Sequence, residues 1–236
     1  MSLRTNSLWE VIKSAFGERV WAQVWPAVWD TLYMVAISAV IMLVLGLILG
    51  VLLYISPPGG IRPMPWFNRI AGAIVNCLRS LPQMIMIIVT LPLARAVLGR
   101  GYGAGACIIA LAASCTPMFG RMVESALTEV SKGKIEAAKA MGSSSFQIIF
   151  RVLLPEALAS LTRAFTMALI SIVSMTALAG SFGAGGIGDI AVRFGFNRFQ
   201  HDILIATVLV LIVMVQIIQV IGDGASRFLL KKWKLI

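Results

Sequence analysis

Long apolar runs constrain this chain of 236 residues more than any other feature. A helical membrane span needs about 20 mostly apolar residues, and the strongest runs here, residues 31–54 and 202–222, meet that length. Hydrophobic residues make up 59% of the chain and charged residues 13%, a balance typical of membrane proteins rather than soluble domains. We therefore predict an all-α, polytopic membrane protein with one transmembrane domain.

Three further runs qualify as spans although they contain small, polar or charged residues. They cover residues 70–93, 103–118 and 164–179. Small residues allow helices to approach closely within membranes, so we expect these three helices to pack against protein rather than lipid. Together with the two strongest runs they predict five transmembrane helices.

The N-terminal segment, residues 1–27, has apolar side chains at helical spacing and does not resemble a cleavable signal. Three tryptophans step by four residues: Trp21, Trp25 and Trp29. One interpretation is an amphipathic helix at the membrane interface, where tryptophan is favoured. The other is an ordinary helix packed on the bundle. In both cases the segment precedes a transmembrane domain predicted over residues 28–236.

The net charge of +10 at pH 7 does not indicate a nucleic-acid partner, because no basic face with interleaved aromatic residues lies on a soluble module. Membrane topology explains the charge better. If the segment between the third and fourth runs is cytoplasmic, most of the 20 Lys and Arg residues fall on the cytoplasmic side. Cytoplasmic loops of membrane proteins are enriched in these residues. The bias predicts an N-terminus outside the cell and a C-terminus in the cytoplasm.

That intervening segment, about residues 131–155, is charged and rich in strong helix formers. Gly142 and the serines after it interrupt the helical pattern, and Ser144 or Ser145 is a candidate cap for a second short helix. Pro155 is expected to end that helix before the next span. We predict two short helices joined at a bend, with one face on the bundle and the other meeting a partner.

Within the segment, Glu136-Ala137-Ala138 is followed after three residues by Gly142 and then by the sequence VLLP at 152–155. This pattern resembles the EAA motif of bacterial ABC-importer permeases, in which it forms the coupling helix that sits in a cleft of the cytoplasmic ATPase. The resemblance implies the type I ABC importer permease fold. It also implies an ATPase-coupling role for Glu136, Ala137, Ala138, Gly142, Phe146, Leu154 and Pro155. Phe146 and Ile149 are expected to hold the segment to the bundle.

Four stretches, residues 73–85, 121–130, 153–161 and 183–191, together resemble the five-span permease of methionine importers. The resemblance implies a permease subunit of a binding-protein-dependent importer in the bacterial inner membrane, forming an alternating-access pathway for a small amino acid. Methionine is the implied substrate, and another amino acid or a small peptide suits the same scaffold. The implied partners are two ATPase subunits, a second permease copy in a homodimer, a periplasmic or lipid-anchored binding protein, and membrane lipid.

No G-x-x-x-x-G-K-[ST] phosphate-binding loop occurs in the sequence. We therefore expect no cofactor in this chain, with ATP and Mg²⁺ bound by the partner ATPase. A G-x-G-x-x-G pattern does occur, but it follows a membrane helix rather than a strand, so a dinucleotide fold is not indicated. A close-packed turn at the periplasmic end of the fourth span is expected instead. Its glycines are Gly183, Gly185, Gly186 and Gly188.

The fourth span is the candidate translocation helix, because polar and bulky apolar residues alternate along it. The predicted gate and pathway residues are Thr166, Ser174, Met175 and Leu178. The alternative for each hydroxyl is a hydrogen bond to its own backbone four residues earlier. Arg79 is expected to be structural, capping carbonyls or pairing with a residue such as Glu124.

Two other functional classes find little support in the sequence. An intramembrane enzyme needs a nucleophile with a base, or a set of metal ligands, but His201 is the single histidine. The cysteines lack metal-ligand spacing and are expected to be buried as small apolar residues. They are Cys77, Cys107 and Cys115. An ion-driven carrier is disfavoured because no ionisable relay residue lies in the middle of a predicted span.

Overall fold

The computed structural model describes residues 8–232, and no strand occurs in that part of the chain. Its helices are α1 Leu8–Ala15, α2 Glu18–Ile55, α3 Pro65–Ser80, α4 Gln83–Leu98, α5 Gly103–Thr128, α6 Lys132–Ala140, α7 Ser145–Gln147, α8 Leu154–Gly180, α9 Gly186–Ile190 and α10 His201–Lys232. Two π-helical segments, Ile148–Leu153 and Ala191–Phe196, precede α8 and follow α9. The predicted all-α class is confirmed.

Four helices among the described residues are long and apolar enough to cross a membrane. They are α2, α5, the continuous helix Ser145–Gly180, and α10. The pair α3 and α4 makes a fifth span if its two bent halves are counted together. The five predicted runs are therefore all found, but the second run is not one straight helix.

The break in that second run lies at Leu81 and Pro82, between α3 and α4. Leu81 has an extended backbone, with ψ of 137°. Proline disfavours the helical conformation for the residue before it, so Pro82 explains the break. The prediction of one helix over residues 70–93 is wrong for this reason. Pro92, in contrast, lies inside α4 without ending it.

The chain divides into two compact units, each assembled from separate stretches of sequence. The described part of the first unit contains residues 8–38, Gln83–Leu111 and Ser171–Ile217. One apolar cluster of this unit joins the first turns of α2 to α9 and α10, and includes Val20, Val24, Ile187 and Ile203. Hydrogen bonds also tie its stretches together. The Thr31 hydroxyl accepts the backbone N–H of Ile187 at 2.9 Å.

The N-terminal segment belongs to this first unit and is only partly amphipathic. Val20 and Val24 are buried against the unit's core, while Trp25 and Trp29 are more than half exposed on another face of α2. Residues 18–27 are thus the start of a long helix packed on its neighbours. Residues 1–7 of the predicted segment lie outside the described part. An interfacial location stays a prediction.

The second unit contains residues Ala39–Pro82, Ala112–Ile170 and the described residues from 218 to 232. Helices α2 and α5 approach closely here, because a β-carbon added at Gly50 would lie 2.5 Å from the carbonyl oxygen of Gly120. The rings of Phe119 and Phe165 then pack edge to face, with centroids 5.9 Å apart. Glycine at a crossing of membrane helices permits this close backbone approach.

The burial of the spans follows their composition only in part. In the most apolar window of α5, 61% of residues are buried inside the chain, against 22% for α10. This agrees with the expectation that the Ala- and Gly-rich span packs against protein. In helix α3, Val75 is the one residue buried within this chain.

Candidate coupling segment and translocation helix

One face of helix α6 packs within the second unit, and the other face is exposed. Ile135 and Ala138 are buried, whereas Glu136 and Ala137 are exposed. The three residues of the EAA pattern therefore do not share one face of the helix, because consecutive residues of a helix point in different directions. Ala138 supports the helix from inside, and Glu136 and Ala137 are available to a partner.

The bend after α6 is a Schellman motif with Gly142 as its left-handed residue. Gly142 has φ of +78°, a conformation that glycine adopts without the steric cost of a β-carbon. Its N–H donates to the carbonyl of Lys139 at 3.0 Å, and the N–H of Ser143 donates to that of Ala138 at 3.1 Å. These two bonds satisfy carbonyls that the end of a helix otherwise leaves unpaired.

The next helix begins at a capping box, and of the two predicted serines Ser144 is the cap. Its hydroxyl accepts the backbone N–H of Gln147 at 3.3 Å, while the Gln147 side chain accepts the N–H of Ser144 at 2.9 Å. Such reciprocal bonds fix the first turn of a helix. The predicted bend between two helical pieces is thus present at Gly142.

Pro155 does not end this second helix, contrary to the prediction. The helix continues from α7 through the π-helical turn Ile148–Leu153 into α8. The N–H of Leu154 donates to the carbonyl of Ile149, five residues back. A π turn is wider than an α turn, which leaves room for the proline ring where an α turn would place a carbonyl against it. Leu154 and Pro155 are both half-buried.

Of the two residues predicted to hold this helix to the bundle, Ile149 is half-buried but Phe146 is exposed. Phe146 is 68% exposed, and its ring lies 4.3 Å from that of Phe150. Ile148 and Leu153 are the residues buried against the second unit. Phe146 and Phe150 lie one helical turn apart, at positions i and i+4, so their rings share one exposed face. The exposed pair gives the segment an apolar surface of its own.

Charged groups anchor the base of the segment to the start of α8. Lys134 on α6 forms an ion pair with Glu156, and Ser160 donates a hydrogen bond to Glu129 at the end of α5. These side chains line a cavity of about 310 Å³ within the second unit. The sequence spacing of these residues, 22 and 31 positions apart, gave no signal for either contact.

The four predicted gate residues on α8 do not share one face. Thr166 and Met175 are buried within the chain, whereas Ser174 and Leu178 are exposed, one helical turn apart. The Thr166 hydroxyl donates to the carbonyl of Thr162 at 2.8 Å, which is the backbone bond named as the alternative for such residues. Arg163 and Met167 extend the exposed stripe of Ser174 and Leu178 by their spacing.

The glycine-rich turn after α8 is close-packed, as expected. Gly183, Gly185 and Gly186 all have positive φ values between 74° and 82°. A β-carbon added at Gly188 would lie 2.4 Å from the Cα atom of Ala177. This distance is too short for any real β-carbon, so the turn packs backbone against backbone.

Comparison with known proteins decides the class of this chain. Residues 43–235 match the family of binding-protein-dependent transport system inner membrane components. The chain belongs to this family. The prediction of a membrane transport subunit rather than an enzyme is therefore confirmed for this permease.

The permease has relatives and structural neighbours within methionine transport. It is 44% identical over 160 residues to a probable D-methionine transport permease, MetI of Vibrio cholerae, covering 68% of this chain and 71% of that protein. It is 37% identical over 180 residues to the methionine import permease MetP of Bacillus subtilis, covering 76% and 81%.

A solved inward-facing structure of the MetNI methionine ABC transporter matches with a TM-score of 0.88 and 37% identity, covering 91% of this chain and 99% of that one. A structure of an amino acid ABC transporter with histidines matches with a TM-score of 0.72 and 15% identity, covering 87% of this chain and 94% of that one. At this identity the match shows the fold alone. The predicted permease fold is confirmed.

One polar cluster in the permease escaped sequence reasoning. Arg121 pairs with Glu124 at 2.6 Å and also donates to Asn76 and to the carbonyl of Gly72 on α3. For Arg79 the prediction was that it caps carbonyls or pairs with a residue such as Glu124. It is exposed and forms no ion pair among the described residues. The spacing of Arg121 and Glu124, three residues along a helix, is a signal that favours their pairing.

The cysteines of the permease differ in their environment. Cys107 and Cys115 are buried, as expected, but Cys77 is exposed on α3. Cys77 is exposed because α3 has few contacts within this chain, with Val75 as its one buried residue. Among the residues that the structure describes, no three His, Cys, Asp or Glu side chains are grouped as metal ligands.

Proposed function

We propose that this permease forms the membrane pathway of a methionine importer and is driven by separate ATPase subunits. The substrate assignment is supported by the methionine transporters among its relatives and by the neighbouring MetNI structure. The observation that carries the coupling role is the segment from α6 to α7. Its exposed Glu136, Ala137 and Phe146 form a rigid, bent surface between two spans.

The proposed partners bind at opposite sides of the membrane. Two cytoplasmic ATPases hold ATP and Mg²⁺ and each receives one coupling segment, while a periplasmic or lipid-anchored binding protein delivers substrate outside. This arrangement places the C-terminus of the permease in the cytoplasm and its N-terminus outside. The distribution of Lys and Arg supports that orientation.

A second permease copy completes the pathway in this proposal. A two-fold symmetric pair brings one surface patch against its own copy, and the exposed stripe on α8 supplies such a patch. Leu178 then lies near its symmetry mate, and these apolar side chains close a narrow route by contact and dewetting. Met175 is buried in its own chain and supports the gate from behind.

Transport follows from a switch between two packings of the dimer. Binding of ATP draws the two coupling segments together and moves the bundles from inward-open to outward-open as rigid bodies. The ion pair of Lys134 with Glu156 and the buried Ile148 transmit this motion, because they tie α6 and the following helix to the same unit. Hydrolysis then restores the inward-open state.

Reconstitution tests the proposal directly. The permease is placed in proteoliposomes with its ATPase, binding protein and ATP, and uptake of radiolabelled methionine is measured. We expect uptake that requires all three additions and is competed by unlabelled methionine. ATP-dependent uptake of a different amino acid or a small peptide, without methionine uptake, would reject the substrate. Methionine uptake without the ATPase would reject the coupling mechanism.

A further inference from the structure

A small polar cavity in the first unit lies where α2 and α10 begin. Its volume is about 90 Å³, well above the roughly 10–15 Å³ that one water molecule requires. The lining residues are Arg19, Val20, Gln23, Gln200, Asp202 and Ile203. None of them belongs to the coupling segment, the α8 stripe or the glycine turn.

The cavity contains a buried acceptor that lacks a donor. The Oε1 atom of Gln23 is inaccessible to solvent and has no hydrogen-bond partner among the described residues. Buried acceptors in native proteins are nearly always paired, and each exception calls for a bound group or a structural reason. The position of Gln23 in the cavity wall indicates that the missing donor enters through the cavity.

The cavity wall also carries one cation and one anion that do not neutralise each other. Arg19 and Asp202 both line it, yet they form no ion pair in the described part of the chain. One carboxylate oxygen of Asp202 accepts the N–H of Ile203 at 2.9 Å, so the other remains available. A zwitterion with an ammonium group and an acidic group fits this arrangement.

The surroundings indicate which zwitterion is present at high concentration. Exposed aromatic side chains of the same unit, Trp9, Phe16, Trp25 and Trp29, surround the start of α2 along the chain. Tryptophan is enriched at the level of lipid headgroups, and the apolar run of α10 begins at Asp202, in the cavity wall. These features favour a lipid headgroup as the zwitterion.

We propose that the cavity binds the headgroup of phosphatidylethanolamine. The phosphate pairs with Arg19, and the primary ammonium donates hydrogen bonds to Gln23 Oε1 and to the Asp202 carboxylate. Phosphatidylcholine carries the same phosphate, but its trimethylated nitrogen has no N–H to donate. The site therefore distinguishes the two lipids by their hydrogen bonds rather than by their charge.

Native mass spectrometry of the full-length permease tests this selectivity. The detergent-solubilised protein is titrated with short-chain phosphatidylethanolamine, with its mono- and dimethylated forms, and with phosphatidylcholine. We expect a preference of about fivefold or more for the unmethylated lipid, as befits one or two hydrogen bonds to a charged donor. The preference should decline as methyl groups replace N–H groups. Equal binding of all four lipids would overturn the proposal.

Substitutions assign the selectivity to the cavity. Gln23→Leu and Asp202→Asn should reduce the preference towards unity, while Gln23→Glu, which keeps an acceptor, should retain it. Arg19→Gln should weaken both lipids together, because the phosphate is common to them. Arg198→Gln, an exposed arginine outside the cavity, is the matched control and should change nothing. If Gln23→Leu fails to fold, the Asp202→Asn and Gln23→Glu pair still decides the question.

Free methionine shares the ammonium group and provides the competing occupant. It is added to the same titration at millimolar concentration, and we expect no displacement of phosphatidylethanolamine. Displacement by methionine, lost in Asp202→Asn, would identify an amino-acid site and overturn the lipid assignment. Retention of the lipid preference in both Gln23→Leu and Asp202→Asn would place lipid selectivity elsewhere and also overturn it. The outcome does not depend on transport, so it is independent of the proposed importer.

Discussion

The two ends of the helix that contains α8 both depend on glycine, but for different physical reasons. At the coupling end, a β-carbon on Gly142 would meet nothing within 4 Å, so glycine is needed there only for its positive φ. At the other end, Gly188 has an ordinary backbone conformation but packs against the backbone of Ala177. One end is determined by local conformation, and the other by close tertiary packing.

Gly188→Ala is expected to have the largest effect on stability. Its β-carbon would lie 2.4 Å from the Cα of Ala177, so α8 and α9 have to move apart, and overpacking of this kind costs about 1–3 kcal/mol or more. Thermal unfolding monitored by size-exclusion fluorescence measures the loss. Gly183→Ala is the control in the same turn, because its β-carbon meets open space and the strain comes from φ alone. Equal melting temperatures for the two variants would contradict the inference that Gly188 is needed for close packing and Gly183 only for its backbone conformation.

Gly142→Val should have an intermediate effect on stability and a large effect on transport. A β-branched residue in the left-handed conformation is strained by roughly 1–2 kcal/mol, which loosens the bend of the coupling segment. In the reconstituted system we expect transport-coupled ATP hydrolysis to fall about tenfold while the permease still inserts. Gly142→Asn tolerates this conformation better and should retain most activity. Normal transport-coupled hydrolysis in Gly142→Val would exclude the bend from coupling.

Leu178→Gly should destabilise the permease by about 1 kcal/mol, the usual helix penalty of glycine, because this side chain is 38% exposed. Its main effect should be on the gate, as passive leak of methionine from proteoliposomes without ATP. Leu178→Met conserves the size of the side chain and should show no such leak. Met175→Gly, at a buried position, should instead lower the melting temperature strongly. If the Leu178→Gly variant shows no passive methionine leak, Leu178 is not part of the gate.

Glu136→Lys should have the smallest effect on stability, since Glu136 is exposed on α6 and forms no ion pair within the described residues. We expect an unchanged melting temperature together with a several-fold loss of coupled ATP hydrolysis, because a charge facing the ATPase is reversed. Lys139→Glu, another exposed charge on α6, shows whether reversal at any position has this result. A loss of coupled ATP hydrolysis in Glu136→Lys but not in Lys139→Glu assigns the ATPase contact to Glu136.

The sequence by itself predicted much of the fold because hydropathy and local hydrogen bonds act over short distances along the chain. The apolar runs identified the spans, and the helix formers, Gly142 and Ser144 identified the bent coupling segment. The break at Pro82 was also readable, because proline restricts the residue before it. Mostly apolar stretches on both sides of Pro82 nevertheless add up to the length of one span, and this total length favours a single helix.

Only the tertiary structure decided which side chains face outward. Helix α8 is apolar on several sides, so the helical period alone does not tell Met175 from Leu178, and neighbouring helices bury the first and leave the second exposed. The same holds for Phe146, which is exposed while Ile148 is buried. It also holds for Lys134 and Glu156, which meet only when α6 folds back on α8. Local sequence determines where helices begin and bend, whereas contacts between distant residues depend on how those helices pack.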